Sequence, residues 1–269
     1  MNIYLQHLYL IAPLHTGGTT QEGNLLGIAR ESHTNFPYIP SSTIRGRLRA
    51  SLGEAQKQKR DRLFGNELEK GKLSDGSENL TQGNIWIGDG SILWLPIPSL
   101  SHGVIWISCP LLLNRYARLT GNTLDIQEYQ CSFKDKDTQV YLKDAIFKSD
   151  ELIAWENWQK ALPKSPEART IQRVLVLPDQ HCATVVQMGL WRQVKIKLDS
   201  SKTVDGGFRY EEAIPPDTLM YFPWGLTAAP AKAGEPEPLT EFTELLQKQD
   251  ILQIGGQESL GRGFVQSFT

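Results

Sequence analysis

The chain has 269 residues, 40% of them hydrophobic, which is enough for a core in one large domain or two small ones. Its net charge of -2 excludes a uniformly basic, histone-like protein and an acidic tail protein, so any nucleic-acid site must be a local patch. The 3 cysteines show neither zinc-site spacing nor an even disulfide framework. With no signal peptide and no apolar run long enough to span a membrane, the sequence predicts a cytoplasmic protein without a membrane partner.

Short apolar runs alternate with polar loops along the chain. Strands are expected near the glycine-rich end of the chain and at 3–12, 85–97 (interrupted at 88–90), 104–108, 170–178 and 217–224. Helices are expected at 109–119, 180–192 and 239–249. The charged, Gly/Ser-rich residues 54–83 predict an exposed insertion rather than core, and residues 120–166 show a mixed pattern. Interspersed strands and helices without a repeat indicate the α+β class.

A basic segment in the first quarter of the chain points to nucleic acid. A helix is expected from about residue 43, with Ser41 or Ser42 as its N-terminal cap and one apolar stripe facing the core. From Arg45 to Arg62, seven Lys and Arg residues stand against two acids. A solvated helix face would account for these charges alone. A capped helix start beside a glycine-rich loop, however, favours binding of a nucleic-acid backbone.

Two glycine-rich stretches, residues 15–27 and 255–265, each follow an apolar run. Glycine lets backbone N–H groups come close to a phosphate because no Cβ intervenes. A dinucleotide-binding fold would need a helix and another strand after the second stretch, and only a few residues follow it. Both stretches are therefore predicted to be anion sites of another kind.

Residues 194–212 predict a protruding β-hairpin, because their side chains alternate around a polar middle and Gly206-Gly207 indicates a bend. The adjacent acids Glu211 and Glu212 lie in one strand and must point to opposite faces. At most one of them would face a reaction site.

His15 is a candidate acid–base group for RNA cleavage, since the pKa of a histidine lies near neutrality. The favoured interpretation is a histidine that hydrogen-bonds its loop or the RNA. The other histidines show no metal-ligand spacing with one another or with the cysteines, and no Walker loop, zinc motif or serine-hydrolase elbow is present. No metal site is therefore predicted.

Three stretches resemble the RAMP proteins of CRISPR systems: "LHTGG…RESHTNFPYIPSSTIRGRLR", "LDSSKTVDGGFRYEEAIPPDTLMYF" and "IGGQESLGRGFV". The sequence is most similar to the backbone subunit, of the Cas-seven group, of type III-B or III-D effector complexes (the fourth Cmr protein). The resemblance extends over nearly the whole chain and is weakest at 54–83 and 120–166. The final glycine–arginine motif is common to the superfamily, whereas the "KTV…YEE…PP.TL.Y" pattern is more specific.

The resemblance implies a single RAMP domain over residues 1–269, a modified RRM-like (ferredoxin-like) palm with the hairpin at about 194–212 inserted as a thumb. It implies that copies stack with other effector subunits in a filament along a CRISPR RNA, and that the hairpin interrupts the guide–target RNA duplex at regular intervals. The implied RNA-binding residues are His15, Gly17, Gly18, Ser41, Ser42, Arg45, Arg49, Lys195, Lys197, Lys202, Arg209, Gly255, Gly256, Gly261, Arg262 and Gly263.

The sequence departs from the slicing members of this family at one loop. Those members carry an aspartate there, whereas alignment on Arg30-Glu31 places Leu25 at that position, and a one-residue gap would place Asn24 there. A tyrosine expected just after the paired acids is Ala213. The sequence therefore predicts a guide-binding subunit that does not itself cleave RNA.

Three alternatives stay open. The first is an active slicer of the same fold that uses His15, Glu22 or Glu211 with Mg²⁺ or another divalent ion; otherwise no cofactor is expected. The second is a ribonuclease that processes precursor guide RNA with a histidine. The third is an adaptor protein whose basic face binds acidic protein partners.

Overall fold

A computed structural model of the chain describes residues 2–22, 25–66, 68–69, 72–73, 79–135, 137–143, 145–228 and 236–269. Strands and helices are mixed along these residues, and the largest assembly is one 11-stranded sheet. The predicted α+β class is confirmed at this level.

The first half of the chain carries three helices and the strands that begin the large sheet. In chain order these elements are β1 (Tyr4–Leu10), β2 (Gly17–Glu22), β3 (Leu25–Ile28), β4 (Tyr38–Ile39), α1 (Ser41–Ala50), α2 (Lys57–Phe64), β5 (Leu68–Glu69), β6 (Lys72–Leu73), β7 (Ile85–Ile87), β8 (Gly90–Ser99), β9 (Gly103–Ser108) and α3 (Pro110–Thr120). A short 3₁₀ helix, Glu54–Gln56, precedes α2.

The second half adds two more helices. Its elements are β10 (Gln130–Cys131), β11 (Val140–Tyr141), β12 (Ile146–Phe147), β13 (Ile153–Ala154), β14 (Val174–Val176), α4 (Asp179–Gly189), β15 (Trp191–Leu198), β16 (Val204–Ala213), β17 (Leu219–Leu226), α5 (Pro238–Gln247), β18 (Ile251–Gln253) and β19 (Phe264–Phe268). Further 3₁₀ helices are Trp158–Ala161, Pro166–Thr170 and Glu258–Leu260. The predicted elements are present with small shifts, except that much of the strand expected at 170–178 is not extended.

In the large sheet β1 is an interior strand, third from one edge. The strand order is β13-β10-β14-β9-β8-β17-β1-β19-β18, with β4 and β7 paired to β8 and β17. β1 is antiparallel to both of its neighbours, β17 and β19. Since side chains alternate along a strand, Met220 and Phe222 of β17 join one hydrophobic cluster, whereas Leu219 and Tyr221 join the other. Both faces of the sheet are therefore covered.

Helices α1, α2, α4 and α5 contribute to the first cluster, and residues of α3 together with residues from 155 to 171 contribute to the second. Leu63 and Phe64 of α2 are buried in the first cluster, so the prediction of an exposed insertion is wrong for this part of 54–83. Trp155 and Ala161 are buried in the second cluster, so the mixed segment 120–166 also supplies core. The apolar residues of both segments are too sparse to form a periodic pattern, and burial depends on long-range packing.

A smaller, four-stranded sheet carries the hairpin, in the order β15-β16-β3-β2. The hairpin is present where the sequence predicts one, but its turn is at 199–203. There the Asp199 carboxylate accepts hydrogen bonds from the backbone N–H groups of Ser201 (2.8 Å) and Thr203 (2.9 Å). Gly206 and Gly207 have φ of 81° and 90° and lie within β16, so the prediction that they form the bend is wrong.

No helix in the described ranges is long and apolar enough to cross a membrane.

Candidate nucleic-acid interface

The hairpin has two chemically different faces because its strands pair in register from Trp191↔Ala213 to Ile196↔Phe208. Opposed residues share a face, so Lys195 and Arg209 lie on the same side as Glu211. The opposite side carries exposed apolar side chains, namely Val194, Ile196, Phe208 and Tyr210. A hairpin with a charged face and an exposed aromatic face suits contact with both the backbone and the bases of a nucleic acid.

Glu211 forms ion pairs with three cations on the charged face. Its carboxylate oxygens lie 2.6 Å from Lys195 Nζ, 3.3 Å from Arg209 Nη2 and 3.6 Å from Arg262 Nη2. Burial alone would raise the pKa of Glu211, but Lys195, Gln257 and Arg262 together hold that pKa below its ordinary value. A fully buried, ionised carboxylate with these neighbours is a weak base. The placement disfavours Glu211 as a catalytic residue.

Glu212 forms a second ion cluster on the other face, at the base of the hairpin. Its carboxylate accepts hydrogen bonds from Arg30 Nη2 at 2.7 Å and from Arg192 Nε at 3.0 Å. Sequence reasoning did not single out either arginine. Even with the turn placed at 199–203, the register from Leu198↔Val204 would have paired Arg192 with Tyr210. A register shift between Ile196 and Leu198 is what brings Arg192 opposite Glu212.

The two clusters leave a surplus of positive charge at the hairpin, since five cations surround two carboxylates. The side chains of Arg192 and Arg209 are 55% and 63% exposed, so part of this surplus faces solvent. Lys197 and Lys202 are also exposed, and Lys202 lies at the turn with φ of 61°. From Trp191 to Ala213 the hairpin carries five Lys and Arg residues against four Asp and Glu residues, and Arg30 and Arg262 add two further cations. The hairpin with these two arginines is therefore a modestly electropositive arm on a chain of slight negative charge.

Arg262 is buried at the hairpin base rather than directed to solvent. Its guanidinium lies 4.4 Å from the ring centroid of Trp191 and donates to Gln193 Oε1 at 2.8 Å. Only 4% of the side chain is exposed. This placement makes the arginine a link between the hairpin and the final loop, and contact of Arg262 with RNA stays a prediction.

The two glycine-rich stretches pack against each other. The backbone N–H of Gly256 donates to the carbonyl of His15 at 2.9 Å, and that of Gly263 donates to Pro13 at 2.9 Å. Gly255 and Gly263 have φ of 81° and 76°, and a Cβ there would lie 2.4 Å from the His15 carbonyl and 1.9 Å from the Ile254 carbonyl. Close backbone packing thus accounts for both glycines. Gly261 has φ of 73° and open space around it.

His15 is buried, and its Nδ1 lies 2.7 Å from the backbone carbonyl of Glu212. The ring of His15 therefore bonds β16 rather than its own loop, and a role of His15 in RNA binding stays a prediction. Gly17 and Gly18 lie in β2, which β3 separates from the hairpin in the smaller sheet. A Cβ at Gly18 would come within 3.0 Å of the β3 backbone, whereas Gly17 faces open space.

The N-terminus of α1 is occupied by a carboxylate. Ser41 and Ser42 are the first residues of the helix, and Pro40 stands at the cap position without a side-chain hydrogen bond. The backbone N–H of Ser41 donates to Asp89 Oδ1 at 2.7 Å. The predicted serine cap is wrong, because an acid from a distant turn satisfies this donor and competes with any phosphate there.

Arg45 and Arg49 of α1 donate hydrogen bonds to backbone carbonyls at the C-terminus of α2. Arg45 donates to the carbonyl of Phe64, and Arg49 donates to the carbonyl of Gly65 at 2.6 Å. Arg49 also pairs with Asp61 at 3.2 Å. Carbonyls at a helix C-terminus lack intrahelical partners, so both guanidiniums stabilise α2. Binding of RNA by these two arginines stays a prediction.

We expect Arg49→Ala to lower the free energy of unfolding by about 2 kcal/mol, because it removes charge-assisted hydrogen bonds to Gly65 and Asp61. Chemical denaturation at constant m-value measures the change. Arg118→Ala, at an exposed position of α3, is the control and should change stability by less than about 0.5 kcal/mol. Equal effects of the two variants would contradict the structural role.

The position predicted to replace the family's aspartate lies in the smaller sheet. Leu25 of β3 is in register with Tyr210 on one side and with Glu22 on the other. Asn24 lies outside the described residues, and Glu22 is described by its backbone alone. Among the described residues, no group of three or more His, Cys, Asp and Glu side chains could hold a metal ion.

Comparison with known proteins matches this chain over nearly its full length. A sequence model described as the RAMP superfamily matches residues 7–266. The CRISPR system Cmr endoribonuclease Cmr4 of Pyrococcus furiosus is 29% identical over 294 aligned residues, covering 98% of this chain and 95% of that protein.

Two solved structures share the fold. Oligomeric Cmr4 from Pyrococcus furiosus has a TM-score of 0.67 at 25% identity, and the match covers 99% of this chain and 97% of that one. Type III-B Cmr-beta bound to cognate target RNA has a TM-score of 0.74 at 18% identity, with 99% and 96% covered. The second likeness concerns the fold alone.

Proposed function

The chain belongs to the RAMP superfamily, and we propose that it is a CRISPR-RNA-binding backbone subunit of a type III effector ribonucleoprotein. Such an effector acts in the cytoplasm in defence against viruses. The observation that carries the proposal is the electropositive, two-faced hairpin, with five cations around two carboxylates on a chain of net charge -2. The relative at 29% identity is named as a component of a CRISPR system, which supports the same assignment.

In this proposal the whole chain is one RAMP domain. The large sheet and its helices form the modified RRM-like palm, and β15 and β16 form the thumb. Exposed cations such as Arg209 contact phosphates, and the exposed aromatic side chains of Phe208 and Tyr210 lie against bases. Cations lie on both faces of the hairpin, whereas the exposed aromatic side chains lie on one of them. In this proposal the hairpin separates two stretches of guide–target duplex rather than following a single strand.

Copies of the chain stack with other effector subunits in a filament along the guide RNA. The relative crystallised as an oligomer supports self-association of this fold. A repeated subunit places one hairpin per copy along the RNA, so the spacing of the hairpins sets the interval at which the duplex is interrupted.

We further propose that this subunit does not cleave the target. Leu25 has no group that takes up a proton or binds a metal ion, and Glu211 is buried in an ion cluster. The relative is named an endoribonuclease, so slicing by this chain is the competing function.

RNA binding is tested by neutralising two exposed hairpin cations, Lys202→Gln with Arg209→Gln, which leaves the buried pair of Lys195 and Glu211 intact. We expect the affinity for single-stranded RNA to fall about tenfold near physiological salt. The slope of log K against log salt should flatten by about 1.4, because each phosphate that is no longer neutralised accounts for about 0.7. Fluorescence anisotropy across a salt series measures both quantities.

The matched control removes the same charge elsewhere, by Arg118→Gln with Lys248→Gln, both at exposed positions. This control should leave the slope unchanged. If the two double variants reduced the affinity equally, net charge rather than the hairpin would govern binding. Sequencing of RNA that copurifies with the subunit and its partners then identifies whether the bound strand is a CRISPR RNA.

A further inference from the structure

We propose that the adjacent acids Glu211 and Glu212 fix the direction in which the hairpin leaves the large sheet. The two residues are buried, and being consecutive in β16 they point to opposite faces of the hairpin. Each binds cations on its own face. They act as positioning residues, and the consequence for RNA placement rests on the proposed function.

On the first face, Glu211 connects the hairpin to the loop between β18 and β19. Lys195 and Arg209 belong to the hairpin, whereas Arg262 belongs to that loop and lies 3.6 Å from the carboxylate. Arg262 also stacks on Trp191 and bonds Gln193 at the start of β15. The first cluster therefore ties the hairpin base to the edge of the large sheet.

On the second face, Glu212 connects the hairpin to α4. Its partner Arg30 follows β3 and also donates to Gln187 of α4. Gln187 in turn donates to the carbonyl of Asn35 at 2.9 Å. This chain of polar contacts runs from the hairpin to a helix that packs on the large sheet.

Between the two clusters, the backbone forms a narrow connection. An isolated bridge joins Leu14 to Ile214, and the His15 ring bonds the carbonyl of Glu212. One bridge restrains separation but resists tilting poorly. Ion pairs on opposite faces resist tilting in both directions. Removal of Glu211 leaves the buried Arg262 without its counter-charge, and removal of Glu212 takes away the carboxylate that Arg30 and Arg192 share.

The proposal is tested by measuring the distance between two spin labels in the RNA-free protein with electron–electron double resonance (DEER). Spin labels go on Ser200→Cys at the exposed turn and on Asn114→Cys at an exposed position of α3. The native cysteines, Cys109, Cys131 and Cys182, are buried and should not react. We expect Glu211→Gln with Glu212→Gln to broaden the distance distribution about twofold or more, since both restraints are removed.

The control is Glu241→Gln. This change breaks the part-buried ion pair between Glu241 of α5 and Arg62 of α2, whose Oε2 and Nη2 atoms lie 2.7 Å apart. It removes a comparable pair without touching the hairpin and should leave the distribution unchanged. If the double variant failed to fold, Arg192→Gln and Arg262→Gln would each remove a cation from one cluster and should broaden the distribution. An unchanged width in the folded acid variant, or in both arginine variants, would overturn the proposal. Since no RNA is present, this result is independent of RNA binding.

Discussion

Replacing Gly263 with alanine is expected to lower the free energy of unfolding by about 3–5 kcal/mol, whereas the same change at Gly261 is expected to cost about 1 kcal/mol. The two glycines have nearly the same backbone angle, with φ of 76° and 73°. They differ in the space around the missing Cβ. At Gly263 that atom would lie 1.9 Å from the Ile254 carbonyl oxygen, and at Gly261 nothing lies within 4 Å.

The overlap at Gly263 cannot be relieved by rotating a side chain, because the obstructing atom belongs to the backbone. Residue 263 also makes two backbone hydrogen bonds, donating to Pro13 at 2.9 Å and accepting from Ile254 at 2.8 Å. Moving the chain to admit a Cβ weakens both. Gly261 carries only the penalty of a left-handed conformation, which makes it the matched control.

Urea unfolding of the two variants gives the difference between their free energies of unfolding, provided that their m-values agree with that of the parent protein. RNA affinity is measured in parallel at a temperature where both variants are folded. A stable Gly263→Ala protein that no longer bound RNA would contradict the packing role and favour direct contact between this loop and the RNA backbone.

Leu25→Asp is expected to raise the rate of target-RNA cleavage by about 10²–10⁴-fold over the parent protein in the presence of Mg²⁺. The position lies in β3, in register with Tyr210 of the hairpin and with Glu22 of β2. A carboxylate there supplies a proton acceptor or a metal ligand that leucine lacks. The measurement uses the assembled effector with a guide, a matched target and a divalent ion, and maps the cut sites.

Leu25→Asn is the control for this experiment, because it has nearly the size and polarity of aspartate without the charge. It should cleave no faster than the parent protein. The prediction fails if the parent complex cuts the target at regular intervals and a cut disappears in His15→Ala or Glu22→Ala. That result would establish this subunit as a slicer that uses a different residue.

Local patterns in the sequence were sufficient to place many of the longer elements, but not α2 or the short strands at 130–154. The apolar periodicity of α3 and the alternation of the hairpin strands depend on neighbours a few residues apart, and both elements lie where the sequence predicts them. The turn of the hairpin was misplaced because Gly206-Gly207 is a stronger turn signal than Asp199, although the aspartate forms the turn.

The basic segment shows that the sequence alone does not reveal which cations are paired with acids in the folded chain. Arg60 pairs with Glu54 at 3.0 Å, close in sequence, but Arg62 pairs with Glu241 at 2.7 Å across most of the chain. Arg49 is also engaged, through Asp61. A count of cations along the sequence therefore overstates the charge that faces solvent, and only the folded chain decides which cations remain for a ligand.

The position of β1 between β17 and β19 has a consequence for the order in which the protein is made and folded. β1 ends at Leu10, and the first residue of its partner β17 is Leu219. At about 5–20 residues per second, the ribosome needs roughly 10–40 s to make the residues between them. β19, the other partner, comes later still. The nascent chain must therefore carry an apolar strand with two unpaired edges for most of translation, and closure of the sheet is one of the last folding steps.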